Sequence, residues 1–157
     1  MRAALATVIL AGTGIGLLLP GGRSAAPAPA SSVLADAYRE THLDRSRGGH
    51  FFVTGKVEGK PVHFVIDTGA SDVVLTTEDA RRIGLRFSED EFAVIARGAS
   101  GDVWGKDVMF DKVSVEGKDV THVRGAIARD LDVSLLGQTY LSRITAVQMN
   151  GDSMILR

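Results

Sequence analysis

An all-β domain with one short helix is the fold class predicted for residues 48–157, and three observations predict it. From Phe51 onwards the apolar period is two, the period of strands that lay one face against a core. The tetrapeptide Val-Glu-Gly-Lys occurs at 57–60 and again at 115–118, each time between two Val-rich runs, where a hairpin turn belongs. Between the two copies, residues 91–110 hold two strand-like arms around Arg97-Gly98-Ala99-Ser100-Gly101-Asp102, and glycines near both ends of that tip allow a mobile hairpin. A length of 157 residues with 45% hydrophobic content suits one modest domain rather than two.

The elements follow in chain order. Arg2 precedes residues 3–19, a run without a charge. Two readings of that run stand: a signal peptide cleaved after the small-residue pattern Ala28-Pro29-Ala30, or an uncleaved membrane anchor. The anchor is favoured, because 11 residues from Leu19 to Ala30 are long for a cleavage region. In both cases Arg2 favours the cytoplasmic side and sends the rest of the chain to the periplasm or exterior, secreted if cleaved and single-pass in the inner membrane if not. Gly12, Gly14 and Gly16 imitate a dinucleotide fingerprint without its strand and helix, and are read as small residues in an apolar segment. Residues 20–32 are rich in Pro, Ala, Gly and Ser and lack the apolar surface to fold; 33–43 have the pattern of a short amphipathic helix. The expected organisation is therefore 1–19 anchor, 20–47 tether with that helix, and 48–157 folded domain.

Within the domain, residues 51–57 and 62–66 alternate as strands, joined by a turn at Glu58-Gly59-Lys60. Asp67 ends the second strand. Residues 72–75 form another strand, and 76–85 a short helix that Thr76 or Thr77 caps and Gly84 ends. The second half repeats the plan: a hairpin about residues 115–118 is followed by a glycine-containing apolar turn at 134–141.

The chemistry sits where apolar Phe64-Val65-Ile66 runs into Asp67-Thr68-Gly69-Ala70. Turn formation alone accounts for an acid and a glycine there, and Asp-[Ser/Thr]-Gly arises by chance in roughly one chain in fifteen of this length. The preceding strand, Ala70, and Leu135-Leu136-Gly137 beginning 68 residues beyond Asp67 make the pattern specific. With these residues the sequence resembles the retropepsin-like aspartic proteases, in particular small bacterial ones with an N-terminal membrane segment, over about residues 48–157. The resemblance implies a closed retropepsin-like barrel that is one half of a two-fold dimeric enzyme. It implies that Asp67 is catalytic and that Thr68, Gly69 and Ala70 support it. Arg97, Gly98, Ala99, Ser100 and Gly101 would form a substrate-binding flap, and Leu135, Leu136 and Gly137 would pack behind the acid loop. Two carboxylates sharing one proton can activate water and polarise a carbonyl, and one such motif per chain calls for a homodimer. Two features depart from the family: the flap tip lacks the bacterial Thr-Ala-Asn-Gly pattern, and Gln138 stands where retroviral enzymes carry an arginine that helps the dimer.

Other chemistries fare worse. Zero cysteines exclude a disulfide framework and a thiol nucleophile, and a net charge of −1 without a basic stripe argues against nucleic acid as a partner. His42, His50, His63 and His122 lack ligand spacing, so neither a metal nor a cofactor is expected. Ser71 and Ser100 lack the nucleophile elbow of a serine hydrolase. The acids at 72, 78, 79 and 89–91 are read as a solvated face and helix-start charges, Arg97 as a solvated tip residue, and Trp104 as core, with a substrate-pocket wall as the second choice. The expected function is an aspartic endopeptidase acting on a protein or peptide substrate, homodimeric and tied to a membrane through residues 3–19. A non-catalytic dimeric binding module of the same fold is the alternative.

Overall fold

The computed structural model describes residues 39–98 and 101–157. The expected anchor at 3–19, the tether from 20 to 38, and the flap residues Ala99 and Ser100 lie outside the described residues. Among the described residues no helix is long and apolar enough to cross a membrane.

The strands are β1 (Thr41–Asp44), β2 (Phe52–Val57), β3 (Lys60–Ile66), β4 (Val73–Thr76), β5 (Ala93–Gly98), β6 (Gly101–Val115), β7 (Lys118–Ala128), β8 (Ser134–Leu136), β9 (Val147–Asn150) and β10 (Ser153–Leu156). The described residues also form two short α-helices, α1 (Thr77–Arg82) and α2 (Gln138–Leu141), and a 3-10 turn at Glu89–Glu91. Six strands close into a barrel in the order β2-β3-β8-β4-β7-β6, with β6 returning to β2, and β5 extends β6 beyond the barrel. A small second sheet has the order β1-β10-β9.

Local sequence explains the joints. Both Val-Glu-Gly-Lys copies are two-residue hairpin turns: Val57 pairs with Lys60 and Val115 with Lys118. Positive φ at Glu58 (49°), Gly59 (75°), Glu116 (47°) and Gly117 (86°) gives the turn whose twist matches the flanking strands. Each glutamate occupies an unfavourable left-handed conformation, and its carboxylate is used: Glu58 Oε1 accepts from Asp111 N at 2.6 Å, and Glu116 Oε2 from the Thr41 hydroxyl at 2.8 Å. Helix α1 starts at Thr76, whose side chain accepts from Asp79 N, and Gly84 follows its end at φ 88°. Inside the barrel, Phe64, Leu75, Phe110, Ile127, Leu136 and Tyr140 are fully buried, each contributing on the order of 1.5–3 kcal/mol by leaving water. The Tyr140 hydroxyl donates to Lys118 O at 2.8 Å, so its burial leaves no polar group unpaired.

Three expectations are corrected. Residues 41–43, placed at the end of a helix, are strand: β1 pairs with β10 from Thr41↔Leu156 to Asp44↔Ser153. Pairing with the chain's last strand overrides the local helical period. Among the described residues the sheet structure consequently reaches back to Thr41, within the span expected to be tether, rather than beginning at 48. Trp104 is not core; it is 46% exposed on β6, paired across the hairpin with Val94, itself 44% exposed.

Candidate active site

Topology places the acid loop. Strands β3 and β4 flank β8 on its two sides, β3 parallel to it and β4 antiparallel. The chain leaving β3 at Asp67 must therefore pass over the end of β8 to enter β4, and it crosses at Gly137. A Cβ on Gly137 would lie 2.2 Å from Asp72 O and 2.7 Å from Ala70 O, so only glycine lets the loop lie this close. Behind it, Leu136 is fully buried and its carbonyl accepts from Asp67 N at 3.2 Å. Gln138 N donates to Ala70 O and Thr139 N to Ser71 O, both at 2.9 Å, binding the start of α2 to the loop. The Thr139 hydroxyl accepts from Val73 N at 3.0 Å and donates to Arg124 O at 2.7 Å.

Within the loop, Asp67 Oδ1 accepts from Gly69 N at 2.9 Å and Ala70 N at 3.2 Å. Two backbone donors on one oxygen fix the carboxylate's rotation, while Asp67 itself stays half-buried and open to a reactant. Beside it lies a cavity of about 290 Å³. Phe52, Val65 and Leu135 are direct neighbours across β2, β3 and β8, and with Val133 they give the cavity apolar walls. His50 lines the same cavity and meets the Phe52 ring edge-on, with centroids 6.4 Å apart; His63 stacks on the same ring at 5.4 Å. On the loop's far side Asp72 hydrogen-bonds Arg124 Nε at 2.8 Å, which raises the guanidinium pKa.

The match to known proteins agrees with this geometry. The family model described as gag-polyprotein putative aspartyl protease covers residues 53–143, which includes the acid loop, the β5–β6 hairpin and Leu135-Leu136-Gly137. The chain belongs to the retropepsin-like aspartic protease family. An uncharacterized protein from the cobV 5′ region of Sinorhizobium sp is 34% identical over 125 residues, 78% of this chain and 54% of that protein. An uncharacterized protein of Rickettsia prowazekii is 30% identical over 118 residues, 74% of this chain and 51% of that one. The chain thus spans about half the length of the curated relatives it matches. Among solved structures, the retropepsin-like aspartic protease from Rickettsia conorii matches with a TM-score of 0.63 and 32% identity, over 75% of this chain and 90% of that one. EIAV protease in complex with an inhibitor matches in fold, with a TM-score of 0.53 and 23% identity over 63% and 91% of the two chains.

In this retropepsin-like domain Asp67, Thr68, Gly69 and Ala70 come together in one tight turn against Leu136 and Gly137. Leu135 separates from its neighbour: it faces the cavity rather than the core. Arg97, Gly98 and Gly101 lie on the β5–β6 hairpin, where Gly98 pairs with Gly101, and Arg97 Nε bridges to Asp102 Oδ1 at 2.9 Å in solvent. Glu91 holds the hairpin's base through Lys106, at 2.6 Å, and this bond keeps its carboxyl below the usual range. The four histidines form no cluster: His42 pairs with Glu40, His50 and His63 flank Phe52, and His122 lies on β7 with φ 50°. The cavity walls were not identified from sequence. Val65 belongs to the apolar run that leads into Asp67, whereas Phe52 is brought to the cavity by pairing across strands and Val133 by the bend before β8.

Proposed function

We propose that this chain is an aspartic endopeptidase acting as a homodimer, with Asp67 from each copy completing a two-carboxylate site. The observation that carries the proposal is a carboxylate held by two backbone N–H groups at the mouth of an apolar cavity. Family membership and the likeness to the Rickettsia conorii protease support it. These residues contain one Asp-Thr-Gly, and the second carboxylate is assigned to a second copy. Two carboxylates about 3 Å apart cannot both ionise, so the pair shares one proton. The ionised one takes a proton from water as the water oxygen attacks the peptide carbonyl carbon, and the protonated one hydrogen-bonds to the carbonyl oxygen. Collapse of the tetrahedral species breaks the C–N bond as the carboxyl that took the water's proton passes it to the leaving nitrogen, without a covalent intermediate. The Phe52, Val65, Val133 and Leu135 walls favour an apolar substrate side chain beside the scissile bond. The β5–β6 hairpin is assigned as the flap that closes over the peptide.

Residues 3–19 are proposed to deliver the domain to the periplasmic or exterior face of a membrane, the support being their uncharged run after Arg2. The test of function uses the full chain and a denatured protein substrate over a range of enzyme concentrations. Cleavage is expected, with none in Asp67→Ala. Cleavage that survives Asp67→Ala removes the proposal, and a dimer that binds peptides without cutting them establishes a binding module instead.

A further inference from the structure

The peptide unit joining Thr68 to Gly69 is held at both ends. Its carbonyl oxygen accepts from Gln138 Nε2 at 2.9 Å, and its N–H, carried by Gly69, donates to Asp67 Oδ1 at 2.9 Å. In a planar trans peptide the C=O and N–H point in opposite directions, so whatever fixes the tilt of one fixes the other. A donor on the carbonyl also polarises the unit and strengthens the bond its N–H gives. We propose that Gln138 is a positioning residue for the Asp67 carboxylate, acting through the Thr68–Gly69 peptide. This deepens the protease reading and rests on it.

Gln138 is itself well anchored. It is the first residue of α2; its N–H donates to Ala70 O at 2.9 Å, and its carbonyl accepts from the Ser142 hydroxyl at 2.6 Å and from Ser142 N at 3.1 Å. The side chain thus reaches Thr68 from a turn already bonded to the acid loop and needs little further ordering to make its bond. Gln138 also shares a shallow surface cavity with Gly69, Ser71 and Arg124, so it meets the loop on a different side from the apolar cavity. The route requires a side-chain N–H. Glutamate has the same shape but only acceptors when ionised, and leucine has neither donor nor acceptor.

The experiment compares the full-length chain with Gln138→Glu and Gln138→Leu in peptide cleavage, with the dimer fraction measured by sedimentation on the same samples. It also follows the Gly69 amide resonance in 1H–15N spectra. Both variants should lose about tenfold in kcat, the loss of one hydrogen bond felt at the reacting group, with KM little changed and the dimer intact. The Gly69 amide proton should move upfield in both. The isosteric Gln138→Glu decides the matter if the leucine variant folds poorly. Wild-type kcat together with an unmoved Gly69 resonance in Gln138→Glu overturns the proposal, and so does a rate loss fully restored by raising enzyme concentration, which would make Gln138 a dimer residue. If the wild-type chain cleaves nothing, the protease reading fails while the Gly69 resonance still decides whether Gln138 governs the Asp67 hydrogen bond.

Discussion

Ser134 has no exposed surface and ties three segments together. Its hydroxyl donates to Asp79 Oδ2 at 2.5 Å and accepts from Thr76 N at 3.1 Å, so it joins β8 to the start of α1. Partial burial pushes the Asp79 pKa up, but the hydrogen bonds from Ser134 and Arg82 outweigh it and hold the carboxyl below its ordinary 3.8. A depressed carboxyl contributes stability that is fully present above its unfolded value and is lost as pH falls through the folded one. Ser134→Ala should therefore cost about 2 kcal/mol at neutral pH, since it strips a carboxylate of a donor and leaves a buried N–H unpaired. That gap should narrow as pH falls below 3.8, where Asp79 protonates in both proteins. Denaturant unfolding at neutral and acid pH checks it, and a gap independent of pH would refute the linkage. Asp67 was legible in the sequence because an apolar strand, a turn and a distant Leu-Leu-Gly all constrain it. Ser134 was not, because its partner stands 55 residues earlier and meets it only once α1 packs on β8.

Strand β1 is held by more than its ladder to β10. The Thr41 hydroxyl donates to Glu116 Oε2 and accepts from Lys118 Nζ at 2.7 Å, and Lys118 is 8% exposed, its pKa lowered by that burial. The first strand is thereby fastened to the β6–β7 turn. Thr41→Val keeps the shape and the β preference but deprives a buried ammonium of its acceptor, so a loss of about 2 kcal/mol is expected in thermal or denaturant unfolding. A loss near zero would mean that strand pairing alone retains β1. The hairpins were readable because Glu-Gly between alternating runs is a local signal. β1 was not, because its pairing partner Leu156 lies at the other end of the chain and local periodicity cannot see it. The β5–β6 hairpin was readable for its glycines, whereas the exposure of Trp104 follows from β6 running on past its pairing with β7, which begins at Gly105.

The barrel brings one acid loop to its surface, and the proposed reaction needs two. Closure through β2 and β6 completes the barrel within a single chain, whereas the proposed chemistry needs two copies. The fold class was legible because its strands, turns and acid motif agree with one another; the cavity walls and the Gln138 contact were not, because both join residues far apart in sequence. The most direct measurement mixes wild-type chain with Asp67→Asn at constant total concentration, above the dimer dissociation constant, with random exchange of subunits confirmed. If each site needs one ionised and one protonated Asp67 from two copies, activity follows the square of the wild-type fraction, and an equimolar mixture retains about a quarter of the full rate. Activity in simple proportion to the wild-type fraction would contradict the account, because it would mean that a single chain carries a complete site.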